Sequence, residues 1–188
     1  MIHESWFWKR ELADLISELK TWGPRQVTQE EDWREESYFR LERSVFYSAM
    51  IVRRLIDSHK VTDRLAGRSF GVETVASKLT EFRAASDAFG DVDILKYFEF
   101  QERENSNFTA YKIASEILHS FTLEFIVDDA ETDVASILVA SERNQFVRAV
   151  EIPRSTWLNL LNLFIDDEVQ RVSVEKRNNG KPPLIKIE

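Results

Sequence analysis

The spacing of apolar residues changes near residue 120, and this change limits the fold more than any other feature of the chain. Before it, apolar residues recur about every three or four positions, which is typical of amphipathic helices. From Phe121 to Val127 they alternate with more polar residues, which is typical of a half-buried strand. The sequence therefore predicts an α+β protein, with an N-terminal helical bundle followed by a small, mostly antiparallel sheet that carries one helix.

Two helices are predicted at the N-terminal end. Ser5 is a suitable N-cap for the first, which ends at Gly23-Pro24 because neither residue continues a helix well. Thr28 begins a capping box for a second helix that extends to His59. A helix of about 30 residues, at about 1.5 Å per residue, is longer than one small core needs. We expect it to pack on the first helix and to offer surface to a second copy of the chain.

The middle of the chain gives weaker patterns. Residues 62–71 contain two glycines and are predicted as a loop, and residues 74–89 are predicted as a helix. Residues 91–104 fit either a short helix or a strand. Asn107 is a suitable N-cap for a helix that ends at the change of apolar spacing.

The last part of the chain is predicted to form strands joined by turns. The predicted strands are 121–127, 134–140, 146–152, 169–177 and 184–187. Ser155 is a suitable N-cap for one intervening helix, and Asn179-Gly180 indicates a tight hairpin turn. Because no linker rich in Gly, Ser or Pro interrupts the chain, we expect residues 1–188 to form a single compact domain, mainly helical over 1–120 and mainly strands over 121–188.

Composition excludes several classes of function. The chain has no Cys, so it holds no disulfide, thiolate zinc site or cysteine nucleophile. It has no P-loop, Gly-x-Gly-x-x-Gly, Gly-x-Ser-x-Gly or His-Glu-x-x-His motif, and we expect no cofactor. Charged residues interrupt every apolar stretch before the roughly 18 residues of a membrane span, and residues 1–10 do not resemble a signal peptide. We therefore expect a cytoplasmic protein that binds no membrane.

An Arg and a His lie near the end of the long predicted helix, in the segment Arg54-Leu55-Ile56-Asp57-Ser58-His59. This spacing resembles the Arg-x4–6-His motif of HEPN domains, helical bundles many of which are metal-independent RNases that act as dimers. The resemblance implies that Arg54 stabilises the charge on the scissile phosphate, and that His59 exchanges protons with the ribose 2′-hydroxyl or the leaving oxygen. Alternatively, Arg54 is solvated and His59 caps the helix C-terminus, where a cation is favoured.

Basic residues cluster around this motif, although the chain carries a net charge of −8. The cluster consists of Arg53, Arg54, Lys60, Arg64 and Arg68. Such a segment can bind phosphate, and we expect nucleic acid to bind only through residues 53–68. Alternatively, these cations pair with carboxylates such as those of residues 30–36.

Two further groups of polar residues have the composition of ligand sites. His119 follows Glu116 on a predicted helix, and this pair either shares a metal or a proton or is a half-buried part of the structure. The carboxylates of residues 128–133 either bind a divalent cation or form a solvated hairpin tip. The patterns favour the structural role in both cases, and we expect no metal site.

Trp6, Phe7 and Trp8 are consecutive in the first predicted helix and cannot all face one side. At least one must contact solvent or a partner chain, unless other parts of the molecule wrap around this helix. These aromatics and the long helix favour a non-enzymatic, homodimeric interaction module. The alternative is a metal-independent HEPN-like RNase or RNA-binding protein that uses Arg54 and His59.

Overall fold

The computed structural model describes residues 4–21, 31–78, 97–128, 133–175 and 184–188, and it confirms the α+β class. The helices are α1 (Ser5–Thr21), α2 (Glu31–Asp57), α3 (Asp63–Ala66), α4 (Ala110–Leu118) and α5 (Arg154–Asp166). The strands are β1 (Ser69–Ser77), β2 (Phe98–Thr109), β3 (Ser120–Val127), β4 (Val134–Ser141), β5 (Arg148–Pro153), β6 (Val172–Glu175) and β7 (Leu184–Ile187). Among the helices of these segments, none has an apolar stretch of the length that crossing a bilayer requires.

The main sheet has five strands in the order β2-β1-β5-β4-β3, and every neighbouring pair is antiparallel. β6 and β7 form a separate antiparallel ribbon. The helices α1 and α2 precede the sheet, as predicted, but β1 and β2 lie before residue 120. The change of apolar spacing at residue 120 therefore marks the edge strand β3 and not the start of the sheet.

Most of the strongly patterned elements are confirmed. The first two helices form as predicted, and α2 is 27 residues long. The predicted strands that correspond to β3, β4, β5 and β7 agree with the structure to within two residues at each end, whereas β6 begins three residues later than predicted. The ambiguous segment 91–104 is a strand from Phe98 onward. Thr28 and the Asn179-Gly180 turn lie outside the described residues.

The prediction for the segment that forms β1 is wrong. Residues 62–71 are not a loop, since Thr62 caps α3 and β1 follows it. The helix predicted at 74–89 is wrong over 74–77, which belong to β1, and most of the remainder lies outside the described residues. β1 lies between β2 and β5, which hydrogen-bond to both of its edges despite the strand-weakening Gly71.

Two predicted helix caps are also wrong, each by two residues. Asn107 lies inside β2, and the cap of α4 is Thr109, whose hydroxyl accepts a hydrogen bond from a first-turn N–H at 3.3 Å. α5 does not begin after Ser155 but directly after Pro153, whose φ of −54° suits a helix start and which has no N–H that needs a partner.

The helices form two layers on one face of the five-stranded sheet. α4 and α5 pack on the strands, and α1 and α2 pack on α4 and α5. The layers share one core cluster, whose fully buried members include Leu12, Val45, Ile113 and Trp157. A smaller cluster centred on Leu138 lies on the other face of the sheet. The helices and strands are therefore held by common packing.

Tyr38 connects the N-terminal part of α2 to the edge strand β3. Its phenol donates a hydrogen bond to the Glu124 carboxylate and lies 3.4 Å from the Leu123 carbonyl oxygen. Its ring contacts Phe125 edge-to-face, with a centroid distance of 5.1 Å. Partial burial raises the pKa of Tyr38 above its ordinary value of 10.0, and the neighbouring Glu124 carboxylate raises it further. The neutral phenol is thus the form that stabilises the folded state.

We expect Tyr38 to remain protonated when the other tyrosines titrate. A group whose pKa is raised on folding stabilises the folded state at pH values below its unfolded pKa of 10.0. This stabilisation is lost as the pH rises above that value. A plot of tyrosinate absorbance against pH should therefore have the same shape and amplitude near pH 10 for the folded wild type and for Tyr38→Phe. Glu124→Gln should lower the pKa of Tyr38 only in part, because partial burial, the larger cause, remains. A tyrosinate signal near pH 10 that disappears in Tyr38→Phe would contradict this assignment.

Candidate functional site

His59 is the second residue after the end of α2 and has a left-handed backbone conformation, with φ of 56°. The His59 N–H donates to the Ile56 carbonyl at 3.0 Å, and the Lys60 N–H donates to the Leu55 carbonyl at 2.8 Å. This pair of bonds is a Schellman motif, in which glycine is the usual residue at the left-handed position. The backbone of His59 therefore ends α2 and reverses the chain, while its side chain is exposed.

A cleft of about 680 Å³ opens beside His59, between the start of α1, the α2–α3 turn and the segment after α5. We call it the α1 cleft. Its apolar lining consists of Trp6, Ala13, Ile165, Val169 and Val172. Its charged lining consists of Glu4, Lys9, Arg10, Lys60 and Glu168. The cleft thus combines an apolar surface with cations and carboxylates at its rim.

The α1 cleft does not bring Arg54 and His59 together. Arg54 is exposed but does not line the α1 cleft, to which His59 contributes. Five helical positions separate residues by roughly 140° around the axis, and the left-handed turn at His59 redirects the chain further. Of this pair, His59 lines the α1 cleft and Arg54 does not.

The predicted phosphate-binding residues also separate into three places. Arg53 donates to the Ser115 and Tyr111 hydroxyls of α4, at 2.8 Å in both cases. Lys60 lines the α1 cleft. Arg64 and Arg68 line a smaller cleft beside Asp166 and Asp167. The basic segment crosses a helix end, a turn and α3, so its side chains do not converge on one phosphate.

A hydrogen-bonded junction at Asp167 fixes the walls of the α1 cleft. The buried Asp167 carboxylate accepts hydrogen bonds from the Thr62 N–H and the Thr62 hydroxyl, both at 2.7 Å. The Lys9 ammonium donates to the Asp167 backbone carbonyl. The Asp63 carboxylate accepts the Ile187 N–H at 3.0 Å, which attaches the β6–β7 ribbon to α3. Sequence reasoning missed Asp167, because its partners lie far away in the chain and no local pattern identifies them.

Of the three consecutive aromatics, two reach the surface and one does not. Trp6 and Phe7 are 51% and 50% exposed, and their rings stack with a centroid distance of 3.8 Å. The Arg10 guanidinium lies over both rings, at 5.1 and 5.5 Å from their centroids. Trp8 packs against the core. The first turn of α1 therefore presents a stacked aromatic pair at the rim of the α1 cleft.

The β6–β7 ribbon adds an exposed apolar face on the same side. Val172 pairs with Ile187 and Val174 with Ile185, so all four side chains lie on one face of the ribbon. Ile187 is buried, whereas Val172, Val174 and Ile185 are exposed. Because Val172 also lines the α1 cleft, the ribbon face continues the apolar surface of that cleft.

The second predicted histidine, His119, lies at the C-cap of α4 and is exposed. His119 and Glu116 line the same cleft, in which the buried Glu116 carboxylate accepts hydrogen bonds from Asn144 at 2.9 Å and from Arg148 at 3.4 Å. Within the described segments, no group of three or more His, Asp and Glu residues is arranged to hold a metal ion. Part of the acidic segment 128–133 lies outside those residues.

Comparison with protein-family models, with curated proteins and with solved structures finds no match to this chain. Function is therefore inferred from the geometry of the clefts and from the exposed aromatic pair.

Replacing His59 by glycine should raise the free energy of unfolding by about 1 kcal/mol, because glycine adopts positive φ without the steric cost of a Cβ. Urea denaturation measures this change. Ser58→Gly is the matched control, since among the described non-glycine residues only His59 has positive φ. The control should lower the free energy of unfolding by up to about 1 kcal/mol. A loss of stability in both variants would contradict the strained conformation.

Proposed function

We propose that this protein is a non-enzymatic interaction module that forms a homodimer through the surface around the α1 cleft. The observation that carries the proposal is the stacked pair of Trp6 and Phe7, each about half exposed at the rim of a partly apolar cleft. Exposed aromatics that are already held rigid lose little side-chain entropy on binding, and such residues dominate interface energies.

A second copy of the chain is the partner that this arrangement fits. In a two-fold symmetric dimer, the same patch contributes both the projecting group and the surface that receives it. Phe7 projects beside the cleft without lining it, and the cleft offers Ala13, Ile165 and Val169 as an apolar lining. The projecting group and the receiving surface therefore lie next to each other, as a self-complementary interface requires.

Charges at the cleft rim also suit self-association. Lys60 and Arg10 lie in the same lining as Glu4 and Glu168. Across a two-fold axis, cations of one copy can face carboxylates of the other, which offsets the repulsion between two chains of net charge −8. The exposed ribbon face formed by Val172, Val174 and Ile185 extends the apolar area towards the roughly 1,000 Å² that a stable interface buries.

The long helix contributes less to this interface than its length predicts. The apolar face of α2 is buried against α1 and α4, with Val45, Ala49 and Val52 fully buried. Its most exposed aromatic residue among those described is Phe39, at 60%. We therefore assign the dimer contact to the start of α1 and the ribbon. The RNase alternative stays a prediction, and no contact between Arg54 and His59 favours it.

Multi-angle light scattering at micromolar concentration should give twice the chain mass of 22.0 kDa. Phe7→Ser should weaken the dimer by at least about 30-fold, because a central aromatic contributes about 2 kcal/mol or more to such an interface. Phe39→Ser, which removes a phenylalanine of α2 that is at least as exposed as Phe7, is the matched control and should leave the dimer intact.

Circular dichroism of both variants checks that they are folded. A wild-type protein that is monomeric at micromolar concentration would contradict the proposal. Equal loss of dimer in Phe7→Ser and Phe39→Ser would contradict the assignment of the interface to α1.

A further inference from the structure

A second cleft, of about 340 Å³, lies where α4 meets the turn between β4 and β5. We call it the α4 cleft. Its polar lining includes Tyr111, Lys112, Ser115, His119, Arg143 and Asn144. It shares no lining residue with the α1 cleft. Its volume is at the lower end of the range of small-molecule sites, and most of its lining residues carry a group that can donate a hydrogen bond.

The α4 cleft is locally positive in a protein of net charge −8. Lys112 and Arg143 line it, and neither forms an ion pair in the part of the chain that the structure describes. The Glu116 carboxylate, which also lines the cleft, is buried and is already paired with Arg148 and the Asn144 amide. The positive charge of Lys112 and Arg143 is therefore not neutralised within the described chain.

Arg53 orients two hydroxyl groups at the edge of this cleft. Its guanidinium donates to Ser115 and Tyr111 and lies 3.9 Å from the centre of the Tyr111 ring. The Ser115 hydroxyl uses its own hydrogen on the Tyr111 backbone carbonyl, at 2.6 Å. The Tyr111 phenol oxygen accepts from Arg53, so its O–H hydrogen is directed elsewhere and can be donated to a ligand.

Lys112 is held in place by an aromatic ring rather than by a carboxylate. Its ammonium lies 3.4 Å from the centre of the Phe108 ring, over which Arg148 also lies, at 5.0 Å. Partial desolvation lowers the pKa of Lys112, the Arg148 guanidinium lowers it further, and Glu116 acts in the opposite direction. An anion bound beside Lys112 would therefore relieve repulsion between two cations that the fold holds close together.

We propose that the α4 cleft binds a small phosphorylated molecule through its phosphomonoester group, with Lys112 and Arg143 as the cations and the Tyr111 hydroxyl and His119 imidazole as hydrogen-bond donors. A phosphomonoester carries up to two negative charges and three terminal oxygens, which matches two cations and additional donors better than a carboxylate does. The open cleft, of about 340 Å³, has room for a small molecule attached to that group.

Isothermal titration calorimetry with phenyl phosphate at low ionic strength tests this site. We expect one molecule to bind per chain, and Lys112→Met and Arg143→Met each to weaken binding by at least about tenfold, because each removes a charge-assisted contact. Arg64→Met removes the same charge from a different cleft and should leave the affinity unchanged. Benzoate, which has the same ring but a carboxylate, should bind more weakly than phenyl phosphate.

Three results would overturn the proposal. The first is the absence of binding at millimolar phenyl phosphate. The second is an affinity that Lys112→Met and Arg143→Met do not change, or that Arg64→Met lowers equally. The third is binding of a short RNA oligonucleotide without binding of phenyl phosphate, which would assign the cleft to a polymer. Circular dichroism confirms that each variant is folded, and all three substituted side chains are exposed.

Discussion

The buried carboxylate of Asp167 joins parts of the chain that are far apart in sequence. It accepts two hydrogen bonds from Thr62 at the α2–α3 turn, while its backbone carbonyl accepts the Lys9 ammonium of α1. A buried carboxylate without such partners is strongly unfavourable, so its bonds fix where α1, α3 and the end of α5 lie relative to one another. Asp63, the residue after Thr62, accepts a hydrogen bond from the Ile187 N–H. The same junction therefore positions the β6–β7 ribbon. This junction therefore fixes the positions of the elements that line the α1 cleft.

The α1 cleft lies at the start of α1 and the α4 cleft lies along α4, and the two differ in chemical character. The α1 cleft has an apolar lining, a stacked aromatic pair and mixed charge at its rim, and these features suit a protein surface. The α4 cleft has cations and hydroxyls and one neutralised carboxylate, which suits a small anion. Both are built from elements that contribute to the common core between the helices and the sheet, so each site is held by rigid packing.

Local patterns were sufficient to predict α1, α2 and most strands after residue 120, because each buries one face at a regular spacing. They were also sufficient to predict that Trp6, Phe7 and Trp8 could not share one environment. Local patterns failed for β1, because a strand that lies between two neighbouring strands tolerates Gly71. They also failed for the cap of α4, which is Thr109 and not Asn107. The Asp167 junction and the Arg53 contacts join residues distant in sequence, so no spacing predicts them. His59 gave no sign of its left-handed conformation, since glycine is the residue that normally indicates one.

The most direct measurement of the role of the junction is the free energy of unfolding of Asp167→Ala beside Asp166→Ala, from urea denaturation of the full chain. Asp166 is adjacent and exposed, whereas Asp167 is buried and hydrogen-bonded. We expect Asp167→Ala to lower the free energy of unfolding by about 3 kcal/mol, since two charge-assisted bonds are lost and the Thr62 N–H is left without a partner. Asp166→Ala should change it by no more than about 0.5 kcal/mol. Equal effects of the two substitutions, or no loss in Asp167→Ala, would contradict the central role of Asp167.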